Sequence, residues 1–188
     1  MMRQRARGFS IIELAIVLGV VGLVMGGVWV LAGKVRQTAK LQQTVEQVVA
    51  IAKNVRSFYQ TRSCIGNGTQ MPVLTAANPP VFPREMLAGA AAVDLWDGAV
   101  VVGGADGACG YLFSITFAAL PTATCVELVP RLTAGEAARG LRQALINGEA
   151  VEALPPNPGA LFGDGTARCD TSNATARVEL IYTLRLSE

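Results

Sequence analysis

Glu13 has the most unusual chemical setting in this sequence, because it lies inside an otherwise apolar run. It follows Ile11 and Ile12 and precedes Leu14–Gly33, twenty residues without a charged side chain. A charged side chain at the centre of a transmembrane helix costs about 2.5–3.5 kcal/mol, and less near an end. Glu13 therefore either lies close to water or has a cationic partner.

The cysteines Cys64, Cys109, Cys125 and Cys169 form a second group with informative chemistry. None of them belongs to a CxxC motif or has the spacing of zinc ligands, and the sequence contains no histidine. We therefore expect no metal site. An even number of cysteines in an exported domain predicts two disulfides formed in an oxidising compartment, with free buried thiols as the alternative. Four cysteines allow three pairings, and the sequence alone does not choose among them.

Catalytic chemistry is not indicated. Without histidine there is no catalytic triad and no histidine-assisted proton transfer, and cysteines that form disulfides are not nucleophiles. Asp94, Asp97 and Asp106 surround a glycine-rich stretch and could bind a cation, although loop carboxylates of this kind are more often solvated. We expect neither an enzyme nor a bound cofactor.

The apolar residues Leu14–Gly33 predict a membrane-spanning helix. At about 1.5 Å per residue they extend roughly 30 Å, which is the hydrocarbon thickness of a bilayer. The apolar core of a secretory signal peptide is shorter, about 7–15 residues. Three arginines precede the segment, Arg3, Arg5 and Arg7, and they favour a cytoplasmic N-terminus. Three basic residues soon after the segment reduce the difference in positive charge between its two ends.

The charge distribution does not indicate a nucleic-acid partner. The chain has 16 basic and 14 acidic residues, and three of the basic residues lie in the leader. The remainder therefore has 13 basic and 14 acidic residues. A nucleic-acid surface needs a basic stripe or patch. We therefore predict no nucleic-acid contact.

Helical periodicity continues beyond the apolar segment as an amphipathic stripe. Apolar residues recur at alternating spacings of four and three, namely Leu41, Val45, Val48, Ala52, Val55 and Tyr59. Residues 9–62 are therefore expected to form one helix. Its one-sided half must lie on the domain that follows.

The rest of the chain mixes strand and helix signals. The predicted strands are 99–103, 110–117 and 177–186, the last with a clear alternation of apolar and polar residues. The predicted helices are 84–93, one beginning at Pro121, and one opened by the capping-box pattern Thr133–Glu136 and closed by Gly148. Short elements of these types favour an α+β domain with an antiparallel sheet.

The N-terminal stretch Gly8-Phe9-Ser10-Ile11-Ile12-Glu13-Leu14 resembles a type IV pilin precursor, since a basic leader precedes it and an apolar run follows. Trp96-Asp97-Gly98 and the strand after it resemble the tryptophan–glycine turn of the type IVb and conjugative thin-pilus group. The segment around Cys125 resembles that group's cysteine helix. Cys169, before the last strand, resembles the closing of its C-terminal disulfide loop. The resemblance implies a pilin fold, a long N-terminal helix packed on an antiparallel β-sheet head.

The resemblance also implies how the chain is processed and assembled. In this family a membrane-embedded prepilin peptidase cuts after the glycine, here Gly8, and methylates the new N-terminus, here Phe9. The glutamate, here Glu13, then meets the positively charged N-terminus of a neighbouring subunit. The precursor is thus expected in the inner membrane. The pilus assembly machinery there would build it into a helical homopolymer outside the cell, used for attachment, conjugation or related surface functions.

Four parts of the chain follow from this resemblance. They are a cleaved cytoplasmic leader at 1–8, a transmembrane and polymerisation helix at 9–33, the amphipathic half of that helix at 34–62 and a disulfide-stapled globular pilin head at 63–188. The resemblance also favours the pairs Cys125–Cys169 and Cys64–Cys109 among the three pairings.

Two other functions remain open from the sequence. A minor pilin or a type II secretion pseudopilin is nearest in class, although two disulfides and scattered acidic residues argue against the pseudopilin. A membrane-anchored periplasmic binding domain would instead be cleaved after Gly33. That site is poor, and it gives the stripe over residues 41–59 no reason to continue the helix.

Overall fold

The computed structural model describes residues 10–62, 64–107, 109–152, 154, 156, 161, 168–169 and 174–186. A long helix, α1, spans Ile11–Tyr59. No proline interrupts it, so its backbone hydrogen bonds continue without a break. The chain divides into two compact units, one ending at Ala39 and the other beginning at Lys40.

The N-terminal unit contains the apolar part of α1. The large apolar side chains that the structure describes there are exposed, and Ile11, Leu23 and Trp29 are 86%, 80% and 78% exposed. Among the described residues, α1 is the one helix long and apolar enough to cross a membrane. Exposed apolar surface on this scale needs a lipid or protein partner.

The C-terminal unit, from Lys40 onwards, is built on an antiparallel sheet. Besides the end of α1, its helices are α2 (Met71–Thr75) and α3 (Thr122–Leu132), with a 3-10 turn at Arg84–Met86. Its strands are β1 (Gly68–Thr69), β2 (Leu87–Ala88), β3 (Ala91–Val93), β4 (Ala99–Gly104), β5 (Leu112–Pro121), β6 (Leu141–Ile146), β7 (Glu149–Ala150) and β8 (Thr175–Thr183). Within the described residues the strand order is β2-β3-β4-β5-β8-β6-β7, with β1 also paired to β4, and every one of these strand pairs is antiparallel.

One hydrophobic core joins the stripe of α1 to the central strands. The stripe residues Leu41, Val48 and Val55 are fully buried, and alternate residues of β5 and β8 are buried with them: Phe113, Ile115, Phe117, Val178, Leu180 and Tyr182. Burying one such side chain contributes about 1.5–3 kcal/mol. The prediction that the one-sided half of the helix lies on the following domain is therefore confirmed, as is the α+β class.

The predicted helix over 84–93 is wrong. Only Arg84–Met86 is helical, as a 3-10 turn, and the residues after it form the hairpin of β2 and β3. Gly89 lies between these strands with φ of 67°. This left-handed conformation reverses the chain and is incompatible with a continuing helix.

The predicted helix between Thr133 and Gly148 is also wrong. The chain forms β6 within this range, and the two-residue turn Asn147-Gly148 joins β6 to β7. Both turn residues have positive φ, 54° and 91°, as a type I′ hairpin turn requires. Gly140 has a φ of 78°, so a helix cannot continue through it into the residues of β6.

Candidate functional site

Glu13 lies in the first turn of α1 with its side chain exposed. The amide of Leu14 donates to the carbonyl of Ser10 at 3.1 Å in the same turn. A carboxylate here interacts favourably with the helix dipole. Among the described residues, however, no cationic side chain lies within ion-pair distance of it. Gly8 and Phe9, the predicted cleavage and methylation positions, lie outside the described residues.

The apolar segment carries glycines that its own chain does not use for close packing. A Cβ added at Gly19, Gly22, Gly26 or Gly27 would meet no atom within 4 Å, apart from its immediate helical surroundings. Gly22 and Gly26 are four residues apart and share one helix face. Small residues at this spacing let two membrane helices approach closely. This face is open to a helix from another chain.

The structure pairs Cys64 with Cys109 and Cys125 with Cys169. The Cα atoms are 5.1 and 5.8 Å apart, and the paired residues are separated by 45 and 44 positions in the sequence. This is the pairing that the family resemblance favoured among the three possibilities.

The two disulfides tether different parts of the C-terminal unit. Next to the Cys64 disulfide, the amides of Ile65 and Gly110 each donate to the other's carbonyl, at 3.0 and 3.2 Å. This disulfide therefore holds the segment after α1 against the chain that leads into β5. The second disulfide joins Cys125 of α3 to Cys169, and both cysteines are fully buried in the core.

Arg56, near the C-terminal end of α1, binds the helix to the far end of the sheet. Its Nε donates to the carbonyl of Thr183 at 3.0 Å, and its Nη2 donates to the carbonyl of Arg139 at 2.7 Å. Its Cζ lies 5.8 and 5.7 Å from the ring centroids of Phe113 and Tyr182. Burial lowers the pKa of the guanidinium. No sequence pattern marks Arg56 as special, because its partners lie far away along the chain.

Asp94 caps the turn that follows it. Its Oδ1 accepts the amides of Trp96 and Gly98, both at 2.8 Å, and Lys40 Nζ donates to the carbonyl of Leu95 at 3.2 Å. Burial raises the pKa of the Asp94 carboxyl, against the opposing effect of these two hydrogen bonds. The described residues contain no group of three or more metal-ligating side chains. The Trp96-Asp97-Gly98 turn is thus held by Asp94, and the residue before it is tied to α1 through Lys40.

Two family models match the chain. That of the PilS N-terminal family matches residues 38–181, and that of the prokaryotic N-terminal methylation motif matches residues 3–29. The chain belongs to the PilS family. The resemblance of its N-terminus to a type IV pilin precursor is confirmed, and this pilin is a structural subunit of a type IV pilus.

A solved structure shows the same fold. The crystal structure of the type IVb pilin from Salmonella typhi is 18% identical to this pilin, with a TM-score of 0.53 over 74% of this chain and 97% of the other. The likeness confirms the α+β pilin fold. No curated protein matches the chain.

Proposed function

We propose that this pilin belongs to the type IVb group and polymerises into a filament of identical subunits. Before assembly it is cleaved between Gly8 and Phe9 and methylated at Phe9. The methylation-motif match over residues 3–29 and the similar type IVb pilin fold support this proposal. The observation that carries it is the N-terminal part of α1. The large apolar side chains described there are exposed, and Glu13 is its one carboxylate.

Glu13 drives assembly by pairing with the amine of Phe9 from a neighbouring subunit. A buried charge without a partner is costly, and pairing it with an opposite charge removes much of that cost. Within one chain the described residues offer Glu13 no cationic side chain. The charge therefore favours the polymer over the isolated subunit, and it fixes how far one helix lies along the next.

The substitution Glu13→Ala tests this pairing. It leaves the amine of the next subunit buried and unpaired, at a cost of about 3–5 kcal/mol for each contact. Since about 1.4 kcal/mol is a factor of ten in an equilibrium constant, filament yield should fall more than tenfold. Insertion of the precursor into the membrane should be unchanged or easier, because a charge has been removed from the apolar segment.

The matched control is Glu46→Ala, which removes an exposed carboxylate from the C-terminal part of the same helix. Sheared filaments should be quantified from cells with equal amounts of membrane-inserted precursor. The control should yield filaments at the wild-type amount. A normal yield from Glu13→Ala would show that the charge pairing does not drive assembly.

Processing has its own test, the intact mass of the filament protein. The mass should correspond to a chain that begins at Phe9 and carries one methyl group. Substituting Gly8 by a bulky residue should leave the full-length precursor in the inner membrane. A filament subunit that begins at Met1 or at Lys34 would contradict the proposed cleavage.

The location of the protein follows from the same steps. The precursor sits in the inner membrane through the apolar part of α1, and the assembly machinery there extracts it into a filament on the cell surface. Such a filament would serve attachment, conjugation or related surface functions. Immunogold labelling of intact cells should mark surface fibres in the wild type and none in Glu13→Ala, whose subunit should be found in the inner-membrane fraction.

A further inference from the structure

We propose that a cleft in the C-terminal unit binds an anionic, sugar-sized ligand through the guanidinium groups of Arg62 and Arg185. The cleft has a volume of about 500 Å³ and lies between the end of α1, the residue before β5 and the segment after β8. Small-molecule sites in proteins are commonly about 300–1,000 Å³. This site is separate from the apolar part of α1 that the proposed polymerisation uses.

The charge of the cleft has one sign. Arg56, Arg62 and Arg185 all line it, and no carboxylate is among its described lining residues. Arg56 already donates to two backbone carbonyls, so it mainly contributes positive potential. The side chains of Arg62 and Arg185 donate no hydrogen bond and form no ion pair within the described residues. Their N–H groups are therefore available to a ligand.

Aromatic rings hold these two guanidinium groups in place. Arg62 Cζ lies 4.4 Å from the ring centroid of Phe58 and 5.8 Å from that of Tyr59, and Arg185 Cζ lies 5.0 Å from that of Tyr111. These ring contacts use none of the N–H donors of the two guanidinium groups, whose fork matches a carboxylate or phosphate. Ring contact therefore orients the donors before a ligand arrives.

The backbone around the cleft is also fixed. The amide of Leu184 donates to the carbonyl of Tyr111 at 2.7 Å, and the amide of Arg62 donates to the carbonyl of Tyr59 at 3.0 Å. The hydroxyl of Thr183 donates to the carbonyl of Arg185 at 2.9 Å. Ordered walls reduce the entropy that is lost on binding.

The remaining polar groups favour a hydroxyl-bearing anion. Ser57, Gln60 and Tyr111 line the cleft and offer hydroxyl and amide groups that can exchange hydrogen bonds with sugar hydroxyls. A nucleic acid would instead need a basic track along several phosphates and uncovered aromatic faces. The arginines here already cover the rings, and basic and acidic residues nearly balance outside the leader. The acidic group of the ligand can be a carboxylate or a phosphate ester.

The experiment titrates the full-length chain, in micelles of a polyoxyethylene detergent, and follows binding by NMR. The four probes are glucuronic acid, glucose 6-phosphate, glucose and inorganic phosphate. We expect saturable binding of one or both anionic sugars, weakened by added salt, and at least tenfold weaker binding of glucose and of inorganic phosphate. The relative affinities of the two anionic sugars identify the acidic group.

Three variants localise the site. Arg62→Gln and Arg185→Gln should each weaken binding about tenfold, which is the loss expected for one charge-assisted contact. Arg185→Lys should recover only part of this loss, because an ammonium keeps the charge but not the fork. Arg84→Gln removes an exposed arginine elsewhere on the same unit and should bind like the wild type. Arg62 and Arg185 are exposed, so their variants should keep the wild-type near-UV circular dichroism.

Three outcomes would overturn the proposal. One is the absence of saturable binding by both anionic sugars. Another is equal affinity for glucose or for inorganic phosphate, which would remove the need for a charged sugar. The third is unchanged affinity in both glutamine variants, which would place the binding elsewhere. None of these results depends on filament formation, so failure here and failure of the proposed polymerisation are distinguishable.

Discussion

Replacing Arg56 by Met is expected to destabilise the C-terminal unit by about 3 kcal/mol. The change removes the hydrogen bonds to the carbonyls of Thr183 and Arg139 and the contacts with the rings of Phe113 and Tyr182. Hydrogen bonds from a charged donor contribute about 1.5–3 kcal/mol each, and ring contacts about 0.5–1 kcal/mol each, so the gross loss is about 4–8 kcal/mol. Removing a half-buried charge offsets part of this, and the methionine stem keeps much of the packing.

Thermal unfolding of the full-length chain in non-ionic micelles measures this effect, with near-UV circular dichroism as the signal. For a domain of this size about 1 kcal/mol shifts the Tm by 2–4 °C, so Arg56→Met should lower it by about 6–12 °C. The matched control is Lys53→Met, which removes an exposed cation one turn earlier in α1 and should change the Tm by less than about 2 °C. Equal Tm values for the two variants would refute the account of Arg56 as the link between helix and sheet.

Two further predictions concern the same unit. The raised pKa of Asp94 means that its contribution to stability is fully present below the unfolded value of about 4 and is lost as the pH rises through the folded value. Asp94→Asn should therefore flatten the pH dependence of the unfolding free energy above about pH 4. Asp94→Ala should instead lower the unfolding free energy by about 1–2 kcal/mol at all pH values, because it leaves two amides without an acceptor. Replacing Cys125 and Cys169 together by Ala opens a loop of 44 residues and should lower the free energy of unfolding in urea by about 4 kcal/mol; a loss below 1 kcal/mol would contradict the chain-entropy argument.

The elements that the sequence predicted well are those with a long, regular apolar pattern. α1 follows from an uninterrupted apolar run and a stripe that repeats every three or four residues, and β8 follows from strict alternation. Such patterns survive tertiary context because each one already defines a face to be buried. The burial of Leu41, Val48 and Val55 could therefore be predicted before the partner strands were known.

The failures arose where short signals competed. The capping-box pattern at Thr133 suggested a helix, yet Asn147-Gly148 is itself a strong hairpin signal, and its positive φ values produce the turn between β6 and β7. Gln47 is not part of the predicted apolar stripe, yet it is only 3% exposed and its amide atoms have no partner among the described residues. Helical periodicity predicts the burial of residues at the centre of a buried face better than that of residues at its edges.

The candidate sites also differ in whether the sequence alone could reveal them. Glu13 could be found from the sequence, because its setting is local and a single charge in an apolar run is visible by itself. The hydrogen bond from Arg56 to Thr183 joins residues that are 127 positions apart. The cleft around Arg62 and Arg185 depends on the register of β5 with β8. No spacing rule connects such residues, so only the folded chain brings them together.

The two units meet opposite physical requirements, and this explains why their sequences look so different. The C-terminal unit closes its own core, with both disulfides formed and nearly all of its buried apolar residues in one cluster. The apolar part of α1 buries none of its most hydrophobic stretch within the chain. Its burial must come first from lipid and then from other copies of the helix, whose apolar surface replaces lipid without a large change in hydrophobic free energy. Because that exchange is nearly neutral, a single ionic contact of a few kcal/mol would be enough to decide it, and this is the role proposed for Glu13, the one charged side chain from Ile11 to Gly33.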